Sequence, residues 1–248
     1  MVRVGDVNGA LDAVRRNWDR RARDYNRFYR RFSADRRDAW RTACEKIVPA
    51  LRPGGAGPLD VLDVGTGTGF LSTLLAELGH RVTAVDPSAT MLGYAREEAE
   101  RRGVDVSFRE CGAHDVEDLA STFDLVTARY VLWTLPAPVR ATAAWSRVLR
   151  PGGAVLIADS TWHTWRGDGR RLLASLRPGG DHGFAWRLLR DYVRIGRATP
   201  NWKGLTPQRA QAILAAGGFR RGERFDDLLP EFARPVGEGF FITGARVR

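Results

Sequence analysis

The chain has 248 residues, 44% of them hydrophobic, and a net charge of +10, so it can bury a sizeable core in one domain with an elaboration. Two cysteines, Cys44 and Cys111, exclude a disulfide framework, and the four histidines lack the spacing of metal ligands, so we expect no metal site. No apolar stretch approaches the ~18 residues of a membrane span, and residues 1–17 lack a signal-peptide core, which predicts a cytoplasmic protein with no membrane partner.

The positive charge is carried almost entirely by arginine. Lys46 and Lys203 are the only lysines, whereas the stretch from Arg15 to Arg41 contains eleven arginines against four aspartates. Such a stretch is typical of a solvated helix face, and it is also compatible with an arm that binds a polyanion. Because the chain has no separate RNA-binding motif, we expect no specific nucleic-acid partner.

The first fifty residues predict a helical leader. From about Ala10 to Ala50, apolar and aromatic residues recur at intervals of three and four, which places them on one helix face. Ser33 or Asp35 is suited to cap a second helix that carries Trp40. The members of the stripe are Leu11, Val14, Trp18, Ala22, Tyr25, Tyr29 and Phe32.

A strand, a glycine turn and a helix follow a Pro-Gly linker. Residues Leu59–Val64 form the predicted strand, and Phe70–Leu78 form the helix, with glycines at alternate positions between them. This layout holds a ligand at the carboxyl edge of a parallel sheet, because glycines let the backbone approach it closely. A dinucleotide fingerprint requires glycine or alanine at the position of Phe70, so that alternative is disfavoured.

The second predicted strand, Arg81–Val85, ends at an acid. Asp86 lies seventeen positions beyond Gly69, near the spacing at which a carboxylate meets ribose hydroxyls. The alternative is a helix N-cap, since Pro87 suits the first turn of a helix. Asp86 comes in register with the glycine turn that follows the first strand, and this position favours the ribose interpretation.

The remaining elements predict an alternating α/β chain. A helix ends at Gly103, and a helix that begins near Thr206 is closed by Gly217. The predicted strands are Val104–Phe108, Phe123–Arg129, Ala154–Ala158, and a terminal pair near Arg220–Phe225 and Gly239–Val247, with another helix over Pro138–Leu149.

Several of these segments, in this order, carry a family resemblance. Asp63-x-Gly-x-Gly-x-Gly69 resembles motif I of the class I S-adenosylmethionine (SAM) methyltransferases, and Leu149-Arg-Pro-Gly-Gly153 resembles the ubiquinone/menaquinone-biosynthesis type. The resemblance runs from Trp18 to Asp159 and resumes near Leu205. It implies an α/β doubly wound, seven-stranded Rossmann-like sheet of strand order 3-2-1-4-5-7-6. It also implies SAM as cofactor, with S-adenosylhomocysteine (SAH) as product.

The resemblance also implies the cofactor residues. At Gly112 the chain departs from the family, which usually has an adenine-binding Asp there, so this contact falls to His114, to Asp115 or to the backbone. The implied cofactor-binding residues are Tyr25, Asp63, Gly65, Thr66, Gly67, Asp86, Pro87, Met91, Gly112, Ala113, His114 and Arg129.

The segment Ser160–Gly204 contains four of the eight tryptophans and predicts a helical cap inserted after strand five. One interpretation is a cap with its own aromatic core; the other is an aromatic-walled substrate pocket. For the pocket we expect Trp133, Trp162, Trp165 and Trp186 to bind substrate. His163 is the candidate catalytic base, with a packing role as the alternative, and Tyr130 is a second candidate.

These observations predict SAM-dependent methyl transfer to a small-molecule acceptor by a monomer or homodimer. The expected organisation is a leader at 1–52, a SAM-binding core at 53–159, a cap at 160–204 and the end of the core at 205–248. Two alternatives remain open. One is an RNA methyltransferase that uses the arginine-rich leader; the other is a SAM-binding regulatory module or an enzyme that transfers no methyl group.

Overall fold

Two helices precede the sheet. The computed structural model of the protein describes residues 7–30, 34–52, 57–119, 122–161, 199–234 and 238–248. Helix α1 covers Val7–Arg30 and helix α2 covers Ala34–Leu51, with Asp35 in the first turn of α2. Ser33, the other candidate cap, lies outside the described residues. In the described part of the chain, no helix is both long and apolar enough to cross a membrane.

Strands and helices then alternate, as expected of a doubly wound α/β fold. The strands are β1 (Asp60–Val64), β2 (Arg81–Asp86), β3 (Ser107–Glu110), β4 (Phe123–Arg129), β5 (Leu149–Thr161), β6 (Glu223–Arg224) and β7 (Glu238–Arg246). Among the described residues, the helices between the strands are α3 (Phe70–Glu77), α4 (Ala89–Arg102), α5 (Pro138–Arg147) and α6 (Pro207–Ala216).

The seven strands form one sheet in the order β3-β2-β1-β4-β5-β7-β6. Strands β1 to β5 are parallel, and β7 runs antiparallel to both β5 and β6. The predicted fold class and strand order are therefore confirmed. The order reverses between β1 and β4, so the carboxyl ends of β1, β2 and β4 border the crevice in which such folds bind ligands.

Helix packing fixes the loop that follows β3. Trp145 on α5 is fully buried, and its indole N–H donates to the carbonyl of Ala113 at 2.8 Å. This bond ties α5 to the loop, while the apolar ring fills the space beneath it. Removing such a side chain typically costs ~3–5 kcal/mol of stability. The loop is thus anchored from below at the edge of the crevice.

Strand β3 begins later than the sequence indicates. The expected strand began at Val104, but Gly103 adopts φ 66° and the amide of Val104 donates to the carbonyl of Ala99. This is the bond pattern of a Schellman motif, in which the first residues after the helix still complete its last turn. Val104 therefore belongs to the end of α4, and pairing with β2 starts only at Ser107.

Strand β5 is longer than expected, at Leu149–Thr161, because Leu149 already pairs with Phe123 ahead of a register shift.

Candidate functional site

A cavity of about 310 Å³ lies at the carboxyl edge of the sheet. It is bordered by the glycine turn after β1, the end of β2, the loop after β3, the end of β4 and helix α1. Nine of the twelve residues expected to bind cofactor line it, so the crevice and the predicted site coincide. These nine are Tyr25, Gly65, Gly67, Asp86, Pro87, Met91, Gly112, Ala113 and Arg129.

The glycine turn disfavours side chains, by a steric clash at Gly65 and by positive φ at both Gly65 and Gly67. Gly65 has φ 65°, and a Cβ there would lie 2.5 Å from a methyl group of Val131. Gly67 has φ 58°, and a Cβ there would face the ring of Tyr25 at 3.6 Å. Residues with side chains seldom adopt these backbone angles. The turn therefore presents bare backbone to the cavity, with Val131 and Tyr25 close against it.

Asp86 is held at the end of β2 by two backbone amides. One carboxylate oxygen accepts from the N–H of Gly67 and the other from the N–H of Ser88, both at 2.9 Å. Burial raises the pKa of Asp86 to about 6, although these two hydrogen bonds favour the charged form. Ser88, not Asp86, caps helix α4 by accepting from the amide of Met91. The side chain of Asp86 is thus directed to the turn and the cavity.

The loop after β3 brings a carboxylate to the position left empty by Gly112. A Cβ on Gly112 would lie 2.6 Å from Oδ2 of Asp115, so this carboxylate occupies the space of the missing side chain. Asp115 lines the cavity together with Glu110 and Cys111. Burial raises the pKa of the Cys111 thiol to about 11, which keeps it protonated.

His114 is turned away from the cavity. Its side chain is buried, and Nε2 donates to the carbonyl of Ala137 at 3.0 Å, which draws the ring beneath the loop. Burial lowers the pKa of His114, so the ring is neutral. Of the two side chains considered for the adenine contact, the structure therefore brings only Asp115 to the cavity.

Asp63 and Thr66 lie behind the glycine turn and do not line the cavity. Asp63 accepts from the hydroxyl of Thr127 at 2.7 Å, and the hydroxyls of Thr66 and Ser72 are 2.8 Å apart. Burial raises the pKa of Asp63 to about 6, against the hydrogen bond from Thr127. These contacts join β1, β4 and α3, so both side chains support the turn from beneath.

Helix α1 covers the cavity on one side. Leu11, Val14, Trp18 and Tyr25 line it from one helix face. The rings of Trp18 and Tyr25 meet edge to face with centroids 5.5 Å apart. A hydrogen bond from the hydroxyl of Ser88 to Asp19 joins helix α1 to the N-terminus of helix α4. Leu11 and Val14 were predicted only as part of the apolar stripe, and the stripe is the signal that identifies them.

Arg129, at the end of β4, lies in a group of aromatic rings. Its guanidinium carbon is 4.6 Å from the ring centre of Tyr29, 4.5 Å from that of Phe70 and 5.0 Å from that of Tyr130. One N–H donates to the hydroxyl of Tyr29 at 3.1 Å. No carboxylate forms an ion pair with Arg129 in the described part of the chain. Cation–π contacts stabilise the charge without neutralising it.

Tyr130 has an unusual backbone conformation. Its φ is 62°, while its amide donates to the carbonyl of Ala158 at 2.8 Å. A bulky residue in this region costs of order 1–3 kcal/mol and is found at ligand sites and tight bends. Burial raises the pKa of Tyr130 well above its usual value, so the side chain is a neutral phenol. A phenol can orient a ligand, but it is a poor proton acceptor at neutral pH.

The predicted substrate residues are for the most part outside the described residues. His163, Trp162, Trp165 and Trp186 all lie there, as does most of the expected cap. Trp133 does not line the cavity; it is buried beside it, with its ring centre 6.4 Å from that of Trp18. Cavity-lining residues that the sequence did not single out as site residues are Leu11, Asp12, Val14, Arg15, Trp18, Glu110, Cys111, Val131, Thr134 and Leu135.

The fold and the site together define a class of protein. A seven-stranded sheet of this order, a glycine turn after β1 and an acid at the end of β2 are the features of a class I SAM-dependent methyltransferase. Residues 62–157 match the family described as "Methyltransferase domain". This match and the sheet topology together support a class I SAM-dependent methyltransferase, a class that uses SAM as methyl donor.

Curated relatives match between about half and two thirds of the chain. It is 30% identical over 170 residues to the ubiquinone biosynthesis O-methyltransferase of Methylobacterium sp. (strain 4-46), covering 68% of this chain and 63% of the relative. It is 34% identical over 119 residues to the protein of that name from Rhizobium leguminosarum bv. trifolii, covering 47% of this chain and 46% of the relative. The chain thus matches about half the length of such relatives.

A solved structure shares the fold over nearly the whole chain. The magnesium protoporphyrin IX methyltransferase of Synechocystis PCC 6803, crystallised with SAH, superimposes with a TM-score of 0.64. The alignment covers 96% of this chain and 100% of that one, at 18% sequence identity. At this identity the likeness concerns the fold.

Proposed function

We propose that the protein transfers the methyl group of SAM to a small-molecule acceptor. The observation that carries the proposal is the cavity beneath α1, with the carboxylate of Asp86 and the guanidinium of Arg129 both on its wall. SAM has a ribose diol and a methionine carboxylate, which require an acceptor and a cation respectively. The cavity offers one group of each kind.

Asp86 suits the ribose because half of its acceptor capacity remains. A carboxylate has about four acceptor positions, and the Gly67 and Ser88 amides use one on each oxygen. Each oxygen can therefore accept one further hydroxyl. Gly65 and Gly67 line the cavity and would present bare backbone to the cofactor.

Asp115 suits the adenine amino group. Its carboxylate occupies the space of a side chain at residue 112, where the family usually has Asp, so the function is moved three positions along the chain. Pro87 and Met91 offer apolar surface to the purine from the end of β2 and the first turn of α4. Arg129, through its remaining N–H groups, suits the methionine carboxylate.

Methyl transfer from SAM depends more on the alignment of the nucleophile with the methyl group than on a strong catalytic acid or base. Bound SAM supplies a methyl group already activated on a sulfonium, so the chain must direct a nucleophile at it and exclude water. Leu11, Val14 and Trp18 on α1 exclude water from above. Tyr25 can stabilise the sulfonium charge through its ring, by up to about 2 kcal/mol. Tyr130, as a neutral phenol, orients the acceptor.

The binding test uses Asp86→Ala, with SAH as the probe in calorimetry. Loss of the two hydrogen bonds to the ribose, worth ~1–3 kcal/mol together, should weaken SAH binding by about 10- to 100-fold. Asp105→Ala is the matched control, because Asp105 is exposed and does not line this cavity. Equal SAH affinity in Asp86→Ala and wild type would contradict the assignment.

His163 remains the proposed base. If it removes a proton from the acceptor, His163→Ala should lower turnover by ~10²–10⁴ and leave SAH affinity unchanged. A loss below about threefold would mean that alignment alone suffices and that His163 packs within the cap. The cap at 160–204, its aromatic substrate wall and a cytoplasmic location stay part of the proposal.

A further inference from the structure

A second cavity, of about 380 Å³, lies on the far side of the glycine turn from the first. Helices α1, α2 and α4 border it, and Thr68 of the turn contributes to its wall. Tyr29 and Phe70 also line it, and these rings contact Arg129, which faces the first cavity. The two cavities therefore share a wall, yet they have no lining residue in common.

The wall of the second cavity carries excess positive charge. Four guanidinium groups and one carboxylate line it, an excess of three positive charges. The carboxylate of Glu98 already bonds two of those arginines, so it has little capacity for the others. The arginines are Arg30 on α1, Arg37 on α2, and Arg101 and Arg102 on α4.

Glu77 lies behind this wall and does not remove the excess. It bonds Arg37, Arg41 and Arg102, so each carboxylate of the cluster is shared by at least two cations. Burial alone would raise the pKa of Glu77, but Arg102 and Arg37 lower it, as expected where cations predominate. Because Arg41 adds as much positive charge as Glu77 adds negative, the cluster keeps its three uncompensated charges.

Arg37 shows that the charge extends below the surface. It is only 8% exposed; Nη1 donates to the carbonyl of Phe70 and Nη2 to the hydroxyl of Thr73, both at 3.2 Å. Its Nε–H is buried and has no acceptor among the described residues. Burial and the charge of Arg102 lower the pKa of Arg37. A buried cation surrounded by further cations gains most from a bound anion.

We propose that this second cavity binds a small phosphorylated molecule, at a site distinct from methyl transfer. A phosphate group carries close to two negative charges at neutral pH and matches the guanidinium fork, so it offsets the excess better than a single carboxylate. Asn26 and Thr68 supply neutral polar groups for the rest of the ligand. Because Arg37 is buried, a small molecule can reach it more readily than the backbone of a polynucleotide can.

The test measures binding of inorganic phosphate and pyrophosphate by calorimetry, at an ionic strength held constant with chloride. The variant Arg30→Gln/Arg101→Gln removes two exposed cations of the rim and leaves the buried Arg37 in place. The control Arg23→Gln/Arg96→Gln removes the same charge from the same two helices, at exposed positions outside both cavities. We expect pyrophosphate to bind about tenfold more weakly to the rim variant, and within about twofold of wild type to the control.

The site would be overturned if wild-type protein bound neither phosphate nor pyrophosphate, or if both double variants lost the same amount of pyrophosphate affinity. It would also be overturned if a short single-stranded RNA bound more tightly than pyrophosphate through Arg30 and Arg101. SAH affinity is measured in parallel and should equal wild type in both variants. A wild-type protein that binds pyrophosphate but not SAH would refute the methyl-transfer proposal and leave this site intact.

Discussion

The two edges of the parallel sheet hold their charges in different ways. At the amino edge, acids pair with arginines. Asp60 contacts Arg81 at 2.6 Å and Arg150 at 2.9 Å, and Asp124 contacts Arg52 at 2.7 Å. These charges compensate one another within the chain, and exposure to solvent weakens each pair.

At the carboxyl edge, charges are held by neutral groups. Two backbone amides bond Asp86, and the hydroxyl of Tyr29 with a set of aromatic rings surrounds Arg129. Such contacts stabilise a charge without cancelling it, so it retains its attraction for a ligand of opposite sign. Both edges carry charged side chains. At the amino edge these are paired with opposite charges, which suits a structural role, whereas at the carboxyl edge they contact neutral groups, which suits ligand binding.

The largest effect should come from exchanging Arg129 for a residue without charge. Arg129→Met preserves apolar packing among the rings and removes the proposed partner of the methionine carboxylate. Charge-assisted bonds of ~1.5–3 kcal/mol predict SAH binding about 100-fold weaker. Arg150→Met at the amino edge is the matched control; it should leave SAH affinity unchanged and lower unfolding stability by about 1 kcal/mol or less. Equal effects on SAH affinity at the two edges would remove the distinction between them.

An intermediate effect is expected from pH. The pKa of Asp86 is raised to about 6, so the carboxylate is charged above that pH and becomes protonated below it. Protonation removes acceptor capacity, and SAH affinity should fall about tenfold between about pH 7.5 and about pH 5. In Asp86→Asn the affinity should be lower and independent of pH over this range. A pH dependence that persists in Asp86→Asn would assign the titration to another group.

The smallest effect concerns the outer face of α1, where exposed arginines such as Arg20, Arg23 and Arg27 lie. If these contact RNA only through phosphates, binding should be weak and should disappear near physiological ionic strength, because each contact releases counterions. A salt titration with single-stranded RNA measures this. Tight, salt-resistant binding to one RNA would favour the RNA-methyltransferase alternative instead.

The parts of the site that depend on local sequence could be predicted. The alternating glycines and Asp86 follow their strands directly, and a parallel sheet brings such positions to one edge. The choice between His114 and Asp115 could not be made, because it depends on a carbonyl of Ala137, far along the chain. Neighbouring residues in a turn point in different directions, and only the packing decides which one faces the ligand.

The surroundings of Arg129 were equally inaccessible to sequence analysis. Its rings come from α1, α2, α3 and the residue after β4, so no spacing rule connects them. The apolar stripe of α1 did predict a buried helix face, but not that Leu11 and Val14 would cover a cavity. The positive φ of Tyr130 carries no sequence signal, since no glycine or asparagine stands there.

A crystal structure of the protein with SAH shows directly whether Asp86 and Arg129 bind the cofactor. We expect both ribose hydroxyls within hydrogen-bonding distance of Asp86, about 2.6–3.2 Å, and the SAH carboxylate in contact with Arg129. SAH bound in the reverse orientation, or outside the cavity beneath α1, would contradict it.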